Sequence, residues 1–232
     1  MKKIFIFIFI FFTLKIFSQT ESGKVNYGLV IGYDEKMSND DILKGYLEQA
    51  KEGAKHVSFD LTFNKKESLF YVNESIENEN ISFAKAFSSG NNIFYTHNDS
   101  VIKIKFVNNH IGKFIVSYHD NTIWKLENES KYINNFLCYK ATSEDIVINS
   151  KGTFKHPIVA WYCPSIPFNF GPKGYTGLPG LILELHVRNI SWGATKIEIS
   201  NENKIIEKPT KGKIITEEEF EKILKSPPVF GN

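Results

Sequence analysis

Only two cysteines, Cys138 and Cys163, and a single arginine, Arg188, occur among the 232 residues. Two thiols without Cys-x-x-Cys spacing, and histidines that are scattered singly, are too few ligands for a zinc site or a thioredoxin-like redox motif. Charge of one sign is missing as well: 28 Lys+Arg face 26 Asp+Glu, a net of +2. Nucleic-acid binding needs a basic domain or stripe, so no DNA or RNA partner is expected. Apolar runs of about 20 residues, the length that crosses a bilayer as a helix, do not occur, so no transmembrane anchor is expected in the mature chain. No Gly-rich phosphate loop, G-x-S-x-G elbow or H-E-x-x-H helix is found. Their absence lowers the case for nucleotide use and for the common hydrolases; neither a cofactor nor a metal is expected. The rarity of arginine beside abundant Asn, Ile, Lys and Phe reads as the codon bias of an AT-rich genome, so single asparagines carry little meaning.

What is present begins with Met1-Lys2-Lys3, an apolar run from Ile4 to Phe12, and Thr13-Leu14-Lys15-Ile16-Phe17-Ser18. A basic start and a short apolar core make a signal peptide over residues 1–18, with cleavage expected after Ser18 and a single β-rich domain over 19–232. Removing Lys2, Lys3 and Lys15 leaves 25 basic and 26 acidic residues, a net of −1. No cysteine stands near the cut for lipidation. The product is expected in the periplasm or outside the cell, at the surface. In that oxidising setting a Cys138–Cys163 disulfide is the natural reading, and its 25-residue loop would stabilise the fold by about 3.5 kcal/mol on the chain-entropy model. Two buried free thiols are the alternative.

Most of the chain alternates with period two. In Ser58-Phe59-Asp60-Leu61-Thr62-Phe63-Asn64 apolar and polar residues take opposite phases. Residues 101–107 repeat this, placing Ile102, Ile104 and Phe106 inward and Lys103 and Lys105 outward, and Asn108–Gly112 reads as a turn into a return strand over 113–118. Further strands are expected near 24–33, 68–74, 92–96, 122–126, 136–142, 145–149, 157–163, 181–188 and 194–200. Helices are expected over 41–52, after Asp40, and over 217–225, where Thr216 and Glu219 spell a capping box. The predicted fold is mainly β: a strongly curved antiparallel meander sheet, an open barrel, half-barrel or sandwich, with one or two packed helices.

Residues 164–180 hold Pro164, Pro167, Pro172 and Pro179, half of the chain's eight prolines, with Gly171, Gly174, Gly177 and Gly180. Such density makes a rigid, irregular loop. Leu178-Pro179-Gly180-Leu181 reads as a type II turn. The string Gly177-Leu178-Pro179-Gly180-Leu181-Ile182 resembles the signature of the GLPGLI family of exported Bacteroidetes proteins. Cys138-Tyr139-Lys140-Ala141-Thr142, Ala160-Trp161-Tyr162, Ile166-Pro167 and Gly171-Pro172 are similar to that family's shared positions, so the resemblance covers residues 136–188. It implies a sheet-rich plan like the bowl-shaped N-terminal domain of some bacterial peptide-N-glycanases, and an outer-membrane transport receptor as a partner. It implies no reaction. Many relatives place another residue where Cys163 stands.

Two readings of the aromatic loop stand side by side. Trp161, Tyr162, Phe168, Phe170, Tyr175 and Leu178 either present a preorganised binding surface or plug the open end of a bent sheet. On the strand that follows, Glu184, His186 and Arg188 share one face. They can bind an anion or perform acid/base work, or form a solvated face with cross-strand pairs. Asp99-Ser100-Val101 resembles an O-glycosylation sequence of exported Bacteroidetes proteins, at Ser100. The expected function is a non-enzymatic exported envelope protein that binds a hydrophobic ligand or an outer-membrane protein partner. A hydrolase, or a hydrolase accessory module acting on envelope glycan or peptide through Glu184 and His186, is the alternative.

Overall fold

The computed structural model describes residues 20–73, 77–98, 102–109, 111–119, 122–149 and 152–225; the expected signal peptide and Ser100 lie outside them. The strands are β1 (Ser22–Ile31), β2 (Ser58–Asn64), β3 (Glu67–Val72), β4 (Asn92–His97), β5 (Ile102–Asn109), β6 (Gly112–His119), β7 (Lys125–Ile133), β8 (Phe136–Asn149), β9 (Gly152–Cys163), β10 (Leu181–Val187), β11 (Ile190–Ser200) and β12 (Lys213–Thr216). All join one open sheet in the order β12-β6-β5-β4-β3-β2-β1-β11-β10-β9-β8-β7. It consists of two antiparallel meanders, β1 to β6 and β7 to β11, stitched together where β1 pairs with β11. The predicted curved, mainly antiparallel sheet is therefore the fold. The one parallel pair among the described residues is β12 on β6, which closes off an edge strand.

Four α-helices among the described residues accompany the sheet: α1 (Glu35–Ser38), α2 (Asp41–Ala54), α3 (Glu79–Ser88) and α4 (Glu217–Lys225). Asp40 caps α2 by accepting from the backbone N–H groups of Ile42 and Leu43, both at 3.0 Å. The box expected at α4 forms, with the Thr216 N–H donating to Glu219 and the Glu219 N–H donating to Thr216. Helix α3 packs so closely on α2 that a Cβ on Gly53 would lie 1.9 Å from the Asn80 carbonyl oxygen. Gly45, one helix face away, has nothing within 4 Å of the place a methyl would take. Gly45→Ala should thus raise stability by about 0.5–1 kcal/mol, the usual gain on replacing an unconstrained helical glycine; a lower urea midpoint would contradict this.

Each face of the sheet is covered at least in part, for different reasons. One carries Val25, Tyr27, Phe59, Leu61, Phe63, Phe70, Leu185 and Trp192, all buried in the main core. The 164–180 loop fills this side, with Ile166, Phe168, Phe170 and Leu178 buried among them. On the other side the chain from 201 to 212 runs as a strap from β11 across to β12. Its carbonyls at Glu202 and Lys204 accept from Ser22 and Asn64. Ile206 closes a separate cluster with Tyr95, Phe106 and Ile115.

That strap reverses one sequence expectation. Ile104 and Phe106 do face apolar partners, but those of the strap cluster. Lys103 and Lys105 therefore point to the opposite side, the same side as the main core, and Lys103 is only 3% exposed.

Candidate functional site

The sheet bends far enough for strands near its two ends to face each other across a cavity of about 610 Å³. Phe94, Lys103, Lys105 and Tyr118 come from β4, β5 and β6; Asp145 and Ile158 come from β8 and β9. Lys173, Gly174 and Tyr175 of the loop line it between them, and Glu217 lies at the start of α4. The cavity is the part of the bowl that the loop leaves open.

Backbone geometry explains how the loop enters. Lys173 and Gly174 are both left-handed, with φ of 55° and 76°. This reversal turns the Gly174 carbonyl onto the Lys103 ammonium, which donates to it. It also lays the Lys173 ammonium over the Trp192 ring, 5.2 Å from its centroid. Lys105 sits 3.4 Å from Glu217 and over the rings of Tyr118 and Phe220. Three lysines thus converge from one strand and one loop.

The carboxylates are largely engaged elsewhere. Asp145 accepts from Arg188 at 2.7 and 3.1 Å, a two-pronged pair. Glu144 pairs with Lys155 at 2.8 Å. Burial pushes the Lys173 ammonium down to about 8, helped by the positive charges of Lys105 and Arg188 and opposed by Asp145. The depressed value means that folding disfavours the charged form at neutral pH. Between about 8 and the ordinary lysine range the unfolded chain holds more protons than the folded one, so this penalty shrinks as pH rises. Lys173→Gln should therefore stabilise the fold more at pH 7 than at pH 10; an equal shift in thermal midpoint at both would contradict the burial.

Of the residues expected to bind, Tyr162, Phe168, Phe170 and Leu178 are core residues, buried as a plug. Tyr175 alone lines the cavity. Trp161 is half-buried on the other side of β9, beneath the Lys131 ammonium at 4.4 Å. The Glu184–His186–Arg188 row is broken. Glu184 accepts from Lys131 at 2.7 Å and contacts His186 at 2.5 Å. The hydrogen bond from His186, then that from Lys131, holds its carboxyl below the usual range, suited to an ion pair and not to a proton donor. Arg188, with φ of 56°, has left the strand for the β10–β11 turn and reaches Asp145 instead.

The turn at Pro179-Gly180 also differs from a type II turn. The Leu181 N–H donates to Ile166 and not back to Leu178, while the Gly180 N–H donates to Leu178. Gly180 has φ of 157°, far from the value a type II turn places there. Gly177, at φ 88°, lies beside Trp124, whose indole donates to Thr176 at 2.7 Å.

Cys138 and Cys163 do come together across β8 and β9, but as two free, fully buried thiols, so the expected disulfide is replaced by its alternative. Each has a partner already: the Cys138 thiol lies 3.5 Å from the Phe136 carbonyl and the Cys163 sulfur 3.0 Å from the Ser165 hydroxyl. Hydrogen bonding from Cys138 lowers the Cys163 thiol, and the same contact, with burial, raises that of Cys138. Iodoacetamide should label both cysteines after unfolding without any reductant; labelling that needs a reductant would restore the bridge.

A family profile described as "Protein of unknown function (Porph_ging)" matches residues 148–184. That stretch spans β9, the loop and the start of β10, a minor part of the chain. No curated protein matches. Among solved structures the fold is similar to PNGF-II in a C2 crystal form, with a TM-score of 0.56 at 12% identity over 88% of this chain. The P21 form of PNGF-II gives 0.53 at 12% identity, again over 88% of this chain. The chain spans about a third of PNGF-II, 32% and 33% in the two forms. At this identity the likeness concerns the fold.

The cavity lysines escape sequence reasoning. Alternation assigns Lys103 and Lys105 to solvent, because it cannot tell which face of a doubly covered sheet is inside. For Lys173 a signal exists: a lysine between Pro172 and Gly174 in a rigid loop has no freedom to avoid what the loop covers.

Proposed function

We propose that this chain is an exported, non-catalytic binding protein of the cell envelope, of the GLPGLI kind, and that its ligand enters the cavity between β4–β6 and β8–β9. The observation that carries this reading is the 610 Å³ of space that the loop leaves open, lined by groups from separate elements. Ligand sites are concave and few, with polar groups converging on them. The lining changes the ligand from the purely hydrophobic one suggested by sequence. The apolar part of the bowl is occupied by Phe168, Phe170 and Leu178, so a ligand meets lysines and rings together. Glu184 and His186 do not line the cavity, which weighs against the hydrolase alternative.

Native mass spectrometry of protein purified from its own envelope tests this. A small-molecule adduct displaced by substitution of Tyr175 is the expected result. Hydrolysis of envelope glycan or peptide that disappears in Glu184→Gln would overturn it. A co-purified outer-membrane receptor without any small molecule would favour the partner-binding version.

A further inference from the structure

The lysines define what the cavity takes. We infer that it is a site for a ring-bearing organic oxyanion, a carboxylate or a phosphate, held by Lys173 and Lys105 with Tyr118 and Tyr175 along the ring. The inference rests on the ligand-binding reading above and adds the chemical class.

The charge arrangement supports it. Lys103 and Lys105 are two apart on β5 and face the same side, and the loop sets Lys173 against them. Like charges gathered in a partly buried space disfavour one another, which is the second cause of the lowered Lys173 value. Among the described residues Lys173 has an aromatic face beneath it and no ionic or hydrogen-bonded partner. Two of the three lining carboxylates are neutralised from outside, by Arg188 and Lys155. The third, Glu217, pairs with Lys105 from 3.4 Å. An oxyanion entering the cavity supplies Lys173 with a counter-charge in an environment that screens it less than water does. Phe94, Tyr118 and Tyr175 on the walls give a ring apolar surface to cover.

The pH response follows from the same groups. Lys173 is faced by Lys103 and Lys105 of β5, Tyr118 and His119 of β6, Glu144 and Asp145 of β8, Arg188 and Glu217. Its cationic form is lost as pH rises through about 8. Affinity for an oxyanion is therefore full at and below neutral pH and declines above it.

Isothermal titration of the full mature chain with phenyl phosphate, benzoate and neutral benzyl alcohol tests the inference. Phenyl phosphate or benzoate should bind at pH 7, with Kd raised about tenfold in Lys173→Gln and in Lys105→Gln, one lost charge contact each. The stronger of the two anions distinguishes a phosphate from a carboxylate site. Lys173→Arg should keep the affinity and remove its decline between pH 7 and 9.5, which a merely structural role for Lys173 would not do. Lys196→Gln, on an exposed lysine of β11 that pairs with Glu198 and does not line the cavity, serves as the control for folding and general charge. If benzyl alcohol binds as well as the anions and Lys173→Gln changes nothing, the anion class is wrong while the cavity remains a binding site. If none of the three probes binds at millimolar concentration, both readings fail.

Discussion

Replacing Gly180 with alanine should destabilise the fold by about 2–6 kcal/mol, the sum of overpacking and a backbone conformation that an L side chain rarely adopts. A Cβ there would lie 2.3 Å from the Cys163 carbonyl oxygen, 2.5 Å from its carbon and 2.8 Å from the Pro164 nitrogen. All three are backbone atoms, so no rotamer change relieves the clash. Nor can the backbone retreat easily: Leu181 pairs with Cys163 across β9 and β10, and its N–H is bonded to Ile166. Since small domains are stable by about 5–15 kcal/mol in all, the variant should be marginal or unfolded at 25 °C. Gly177→Ala is the informative comparison. Its nearest neighbour, a Trp124 side-chain atom, is 3.6 Å away, so only the strain of φ 88° applies, roughly 1 kcal/mol. Urea midpoints that rank the two variants equally would contradict the close contact at Gly180.

Truncation of Trp192 to alanine should cost about 3–5 kcal/mol, the usual range for an aromatic removed from a packed core. Trp192 is completely buried on β11 and meets the edge of Phe59 of β2 with centroids 6.5 Å apart. It therefore bridges the two meanders at their junction. The indole N–H has no partner among the described residues. Trp192→Phe discards that unpaired donor along with some volume, and should cost clearly less than Trp192→Ala. Chemical denaturation of both variants decides this; equal losses would mean that ring size is immaterial at the seam.

How much of this is legible follows from what each signal encodes. The β5–β6 hairpin is readable because its alternation and turn lie within twenty residues, and Asn109 indeed pairs with Gly112. The long strand β8 reads as two because Ser143-Glu144-Asp145 breaks its apolar phase, yet in the sheet those residues simply face solvent or the cavity. β12 is four residues long and finds its partner β6 some hundred residues earlier, a relation that no local pattern records. Helix α3 goes unseen because its burial rests on the close approach to α2 at Gly53, a tertiary contact. At the site, the motif that resembles a family proves to be packing: Leu178, Gly180 and Leu181 hold the plug. The lysines that give the cavity its chemistry sit in ordinary strand sequence, and only the strap on the far face turns them inward.

The pairing of β1 with β11 also sets an order of events. Ser22 meets Ser200 and Ile31 meets Ile190, so the first strand made waits for one of the last. Until then β1 presents an unpaired edge, the kind of surface on which chains recruit each other. Contacts so distant in sequence form slowly, because a long loop must close before they repay its entropy. A nascent chain stopped before residue 190 would hold the first meander with its β1 edge bare, and a chaperone that shields one strand there would guard the most exposed step of its maturation.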